Sequence, residues 1–437
     1  MNKAILRLAI PNIISNITVP LLGLVDMSVV GHLDDAAYIG AIAVGTTIFN
    51  FIYWNFSFLR MGTSGFTAQS FGAEDTREQA NILQRSLFVA FIGGLFIIAL
   101  QSLILQLGFY IFPTGNTTHS YVSDYFRIYV WAAPAVLGMY AFNGWFVGMQ
   151  DAKTPMFIAI GINIINIALC LFFVFVLKMN IEGVALASLC AQYTGIVTAA
   201  FIWLHKYGYM KQLLHWSVLK DVRSYIPFFK VNSNIFIRTL ALVFVTTFFV
   251  SASTREGDDI LAVNALIMQL FTFFSYMMDG FAYSAEALTG RFVGARTKEL
   301  LGKLIKNLFA WGIGIVALFT IAYALFFEQI LSIITDKKDI VALAMDYRLW
   351  ALLIPITGFS AFLWDGIFVG ATASRQMRNS MLVAATTFFL LYFGCKFLLP
   401  DFFDAYANNV LWTAFLTYLG IRGIMQAFMA PSVLRKS

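Results

Sequence analysis

The stretch GWFVG at residues 144–148 returns as GIFVG at 366–370, at an offset of 222 residues. The same offset aligns Ala43 with Ala265, Phe49 with Phe271, Thr67 with Thr289, and Gly72-Ala73 with Gly294-Ala295. Five small or apolar residues recur by chance in an apolar chain. One offset holding across about a hundred residues is the signature of an internal duplication. The chain is therefore read as two related halves.

The rest of the sequence says what solvent those halves occupy. Of 437 residues, 60% are hydrophobic and only 12% charged, against roughly a quarter charged in soluble domains. Charge-poor runs of about 20 residues recur along nearly the whole length, each able to cross about 30 Å of hydrocarbon as a helix. The runs are rich in Leu, Ile, Ala and the 45 Phe and lack the period-two alternation of a membrane barrel. The fold class is all-α integral membrane. Lys3 and Arg7 precede the first run, which passes Gly31 without a small-residue cleavage site, so it reads as a retained span and not a leader. The net charge of +6 reflects Lys and Arg held on one side of a membrane and implies no nucleic-acid partner. Cys170, Cys190 and Cys395 lie in apolar runs without CxxC spacing, which indicates neither a disulfide framework nor a metal site.

Six spans are expected in the first half, near 5–30, 38–60, 83–112, 122–148, 155–177 and 184–205, and six in the second, near 226–252, 260–286, 303–327, 342–370, 380–399 and 409–430. The division is an N-terminal lobe at 1–205, a linker at 206–225 and a C-terminal lobe at 226–437. Most Lys and Arg outside the spans fall with the termini and alternate loops, including Lys206, Lys211, Lys220 and Arg223 of the linker. The opposite loops hold only Lys178, Arg255, Lys337, Lys338 and Lys396. Both termini are thus expected to be cytoplasmic. An even number of spans per half gives the repeats one orientation, related by an axis along the membrane normal. Two pseudo-symmetric six-helix lobes around a central cleft follow.

Of the acids within the spans, four are singled out: Asp26, Asp279, Glu286 and Asp365. An ionised carboxylate at mid-bilayer is disfavoured by about 2.5–3.5 kcal/mol on insertion scales, so such groups pair up or line a wet cavity and are functional candidates by default. Desolvation also raises a carboxyl pKa toward the range a proton carrier needs. Asn12, Ser15 and Asp26 project from one face of the first span, and Pro11 and Pro20 remove backbone donors from the same helix, offering places to bend. An alternative for Asp26 is an acid at the outer helix end.

On the fifth span Asn163, Asn166 and Cys170 share a face, and Ser188 and Gln192 lie one turn apart on the sixth. These read equally as interhelical glue or as cation ligands. Asp279 and Glu286 share a face of the eighth span and Asp365 sits deep in the tenth. They form either a second acidic site or structural pairs with Arg238, Arg348 or other polar groups. Arg60 reads as a snorkelling anchor. The Phe and the 16 Met suit both packing and a lipophilic pocket, with packing preferred.

One pattern suggests an enzyme: His119 and Asp124 have the HxxxxD spacing of some acyltransferases. No further motif accompanies it, and HExxH, GxxxxGK[ST] and GxSxG are absent. The chain is therefore not expected to be an enzyme or to drive transport with ATP by itself.

LAIPNIISNITVPLLGLVDMSVVGHL at 8–33 resembles the first helix of multidrug and toxic compound extrusion (MATE) transporters, and the DinF subfamily in particular. LRMGTSGFTAQSFGA at 59–73, AVNALIMQLFTFFSYMMDGFAYSAEALTG at 262–290 and WDGIFVGATASRQMRNSM at 364–381 are similar to the same subfamily. The resemblance covers essentially the whole chain. It implies a prokaryotic plasma-membrane secondary antiporter, working as a monomer without cofactor, that exports organic cations or lipophilic drugs against inward H+ or Na+. By the same resemblance Asp26 matches the coupling acid of the first helix and Pro11 the proline at which that helix bends. Asn166 and Ser188 match polar positions of the same site. Cys170 stands where many relatives carry aspartate, which weakens a Na+ cage because a thiol is not a hard oxygen ligand. Asp365 matches an acid of relatives described as Na+-coupled, and Glu286 lies near it. The expectation is H+ coupling through Asp26, with Na+ at Glu286 and Asp365 as the alternative; a lipid-linked substrate flippase comes next and a membrane acyltransferase last.

Overall fold

In a bilayer every backbone N–H and C=O must find its partner within the protein, which leaves helices as the form an apolar, non-alternating chain adopts. The described residues contain helices and no strand. In chain order the helices are α1 (Asn2–Val30), α2 (Ala37–Asn55), α3 (Ser57–Gly72), α4 (Thr76–Ala99), α5 (Gln101–Ile111), α6 (Asn116–Tyr129), α7 (Ala133–Gly148), α8 (Lys153–Leu171) and α9 (Asn180–Lys206). They continue with α10 (Trp216–Lys220), α11 (Val222–Ser253), α12 (Asp258–Gly294), α13 (Lys298–Ile334), α14 (Lys338–Asp346), α15 (Arg348–Gly370), α16 (Ser374–Leu398) and α17 (Pro400–Leu434). The structure is a computed structural model that describes residues 1–30, 37–112 and 115–434; in α1 the side chains at 19–28 and 30 lie outside the described set.

Among the described residues, ten helical segments are long and apolar enough to cross a membrane, five before α10 and five after it. α1 and α17, of 29 and 35 residues, add one more long helix to each half. Several expected single spans are interrupted. The span near 38–60 is α2 and α3, broken at Phe56, where the Asn55 amide donates to the Phe51 carbonyl at 2.6 Å and competes with the helix ladder. The span near 122–148 is α6 and α7, separated by a tight turn at Val130–Ala132, with Pro134 in the first turn of α7, where a missing N–H is tolerated. The span near 83–112 breaks at Leu100, and the one near 342–370 at Tyr347.

The duplication is visible in backbone detail. Left-handed conformations occur at Glu74 and Arg296, and at Gln150 and Thr372, two pairs each separated by the same 222 residues. A Cβ placed on Gly144 would overlap the carbonyl of Arg60, and one on Gly366 would overlap that of Ala282. Gly148 faces the Ser64 carbonyl and Thr67, and Gly370 the Glu286 carbonyl and Thr289. Thus α7 lies on α3 as α15 lies on α12, with glycine permitting backbone-to-backbone approach at matching points. Gly144→Ala and Gly366→Ala are each expected to cost about 1–3 kcal/mol by forcing those helices apart. Gly314→Ala, which meets nothing within 4 Å, should leave melting in detergent unchanged.

Two compact units emerge. One comprises Ile10–Asn232, the other Met1–Ala9 together with Ser233–Ser437. Within the first, Phe49, Phe126, Val130 and Val184 belong to one buried cluster, while Trp145, Phe146 and Trp203 belong to another. In the second, Asn264 of α12 donates to Ser253 and Asn408 and accepts from the Trp412 indole at 2.8 Å, joining α11, α12 and α17. The Ser284 hydroxyl donates to the Ile5 carbonyl at 3.0 Å, seating the first turns of α1 in this unit.

Candidate functional site

The polar face read on the fifth span exists and is engaged on two sides. Asn163 donates to the Thr18 carbonyl of α1 at 3.0 Å, and Asn166 donates to the Ser188 hydroxyl of α9 at 2.8 Å. Asn166 and Ser188 are buried, and Asn166 Oδ1 has no hydrogen-bond partner among the described residues. Cys170, one turn beyond Asn166, is fully buried in the cluster that holds Val174, Ile181 and Val184. Immediately after it, Phe172–Val176 winds as a wider π turn, a local irregularity often found beside functional positions. Nothing in the composition of FFVFV announces that turn.

On α1, Pro11 and Asn12 are buried, the Ser15 hydroxyl donates to the Pro11 carbonyl at 3.0 Å, and the helix is continuous through both prolines. Asp26 lies on this helix, but its side chain falls outside the described residues.

In the second unit Asp365 is buried on α15 and accepts hydrogen bonds from Arg238 of α11 and from both Arg422 and Gln426 of α17. Both arginine contacts are ion pairs. Of the two arginines considered from sequence, Arg238 is a partner; Arg348 instead donates to the Ala324 carbonyl of α13. Arg422 and Gln426 were missed as partners. Their i, i+4 spacing puts both on one face of α17, which was the available signal. Asp279 adds a weaker electrostatic interaction with Arg422. Glu286, also on α12 and buried, has its backbone carbonyl against Gly370. At the equivalent of Asp365 the first half carries Asn143. Among the described residues no three His, Cys, Asp or Glu side chains gather as a metal site.

A third polar cluster closes the turn between α7 and α8. Asp151 accepts from the Thr154 amide at 3.2 Å and hydroxyl at 2.6 Å, and pairs with Lys206 at 2.6 Å. Burial alone would raise its pKa, but the hydrogen bonds and charge of Lys206 and Thr154 bring it below its ordinary value of 3.8. Burial, with Asp151 beside it, pushes the Tyr207 phenol up. A depressed carboxyl stabilises the fold above its unfolded-state pKa and loses that contribution as pH falls through the folded-state value. Melting in detergent is therefore expected to show an acid-sensitive component below pH of about 4 that Asp151→Asn removes.

The HxxxxD pair does not make a catalytic couple. His119 stacks on Phe109 with ring centroids 3.6 Å apart, and a five-residue step on α6 turns Asp124 about 140° away around the helix.

The family model MatE matches residues 11–172 and again 235–398, once in each half. DNA damage-inducible protein F of Escherichia coli is 36% identical over 98% of this chain and 91% of its own length. Probable multidrug resistance protein NorM of Thermotoga maritima is 22% identical over 79% of the chain and 74% of its length. Among solved structures, a MATE protein in the bent conformation superposes with a TM-score of 0.84 at 20% identity, covering 100% of this chain and 96% of that one. An outward-facing multidrug resistance MATE family transporter gives 0.82 at 20% identity, with 100% and 97% covered. The duplicated helical architecture, the double family match and the near full-length relative agree: this chain belongs to the MatE family of membrane transporters.

Proposed function

We infer that the chain is a multidrug efflux antiporter of the plasma membrane that exports cationic or lipophilic organic compounds in exchange for inward H+, with Asp26 as the proton site and both termini cytoplasmic. The observation that carries the choice of ion is the pairing of Asp365 with Arg238 and Arg422. A carboxylate already holding two guanidiniums offers a sodium ion little negative potential, and hard cations need several free oxygen ligands. In the first unit Cys170 contributes sulfur where such a cation would want oxygen. Asp26, which the resemblance matches to the coupling acid, is then taken as the proton carrier, on a helix tied to α8 through Thr18 and Asn163. In this reading Asn166 and Ser188 supply the neutral polar face against which protonated and deprotonated α1 differ in affinity, and Pro11 is where α1 bends.

Proteoliposomes carrying the full-length protein and a fluorescent cationic drug test this reading. A pH gradient alone should drive drug movement, and a Na+ gradient at equal pH should not. The reverse result would move coupling to Na+ and make Glu286 and Asp365 the residues to substitute.

A further inference from the structure

An apolar crevice of about 760 Å³ lies within the first unit, walled by α4 and the start of α11. Phe88, Ile92 and Phe96 line it from one helix and Val222, Ile226 and Phe229 from the other, at spacings that keep each set on one face. All six are exposed, and Phe56 and Phe58, beside the break between α2 and α3, complete the lining. The volume is that of a small-molecule site, and basic residues adjoin its wall in the sequence. Lys220 and Arg223 adjoin the wall residues Leu219 and Val222 and are exposed, and Lys230 follows Phe229. Asp221, between Lys220 and Arg223 in sequence, accepts from the Arg223 amide at 3.2 Å and keeps its charge, so this stretch carries one positive charge in excess, while Glu78 pairs with Arg85 at 2.8 Å. Arg85 in turn acts electrostatically on Tyr225, a buried wall residue whose hydroxyl has no hydrogen-bond partner among the described residues. Trp216, 76% exposed just before this rim, is the residue type that settles at headgroup level.

We propose that this crevice is a lipid site holding one acyl chain of an anionic bilayer phospholipid, with its phosphate between Lys220 and Arg223. Apolar depth with a basic rim is complementary to an amphiphile that has a long chain and a negative head. The same rim repels the cationic compounds assigned above to the transport pathway. Basic residues next to a membrane helix favour anionic headgroups by about five-fold each.

The test uses the full-length protein in nanodiscs containing phosphatidylglycerol or phosphatidylcholine with a diazirine in the acyl chain, and maps the crosslinked peptides. With Asp221 offsetting one of the two basic charges, phosphatidylglycerol should label 88–96 and 219–229 about five-fold more than phosphatidylcholine does. It should also label them more than 313–325 of α13, where Ile313, Leu318, Ile321 and Leu325 are comparably exposed. Lys220→Gln with Arg223→Gln should erase the phosphatidylglycerol excess. Uniform labelling of both regions by the unmodified protein, or an excess that survives the double substitution, would overturn the proposal. Protection of the crevice by a lipophilic cation at equal concentration would assign it to transported substrate instead.

Discussion

Asp365→Ala is expected to destabilise the second unit by about 3–5 kcal/mol, the cost of leaving buried charges without their partner. The substitution strands Arg238 and Arg422 together, two like charges converging on a cavity, and removes the acceptor of Gln426. Low yield of monodisperse protein and a large drop in melting temperature are the readouts. Removing the three ion-paired side chains together is a different experiment. Asp365→Leu combined with Arg238→Met and Arg422→Met replaces charge with apolar volume, which is often neutral or stabilising for buried ion networks. If the triple variant melts like the unmodified protein and still transports, the cluster only holds α11, α15 and α17 together. If it is folded but inert, the cluster handles substrate or ion. A single Asp365→Ala variant that melts normally would remove the basis for treating this acid as neutralised.

Asp26→Asn is expected to lower efflux driven by a pH gradient by at least about ten-fold, since one pKa unit of difference between two transporter states biases them by a factor of ten, or about 1.4 kcal/mol. Only a ligand with differential affinity for the two states can move their equilibrium. An asparagine keeps the shape and polarity of the side chain but binds no proton, so it removes that bias alone. Exchange of labelled drug across the membrane without any gradient should persist, which separates loss of coupling from loss of binding. Unchanged gradient-driven efflux would place the proton site elsewhere.

The membrane class and the duplication were legible because both are repetitive: apolar runs of spanning length, and a constant offset that the glycines at 144, 148, 366 and 370 obey for a steric reason. The face joining Asn163 to Asn166 was legible from helical spacing alone, and the structure engages both residues. What spacing could not show was which long side chain crosses to which acid. Arg238 and Arg422 reach Asp365 from helices far away in sequence, and only packing selects them over Arg348. The interruption at Phe56 was also hidden, because neither proline nor glycine marks it.

The way the two compact units share the chain bears on ancestry. The start of α1 belongs with the second half and the start of α11 with the first, with boundaries at Ala9/Ile10 and Asn232/Ser233, nearly one repeat apart. A solitary copy of the half would lack the opening turns its own unit requires. Two copies would supply them to each other, as in a domain-swapped homodimer. Gene fusion would then have made permanent a reciprocal loan already present between separate chains, and severing the polypeptide within α10 should give fragments that depend on co-expression to fold.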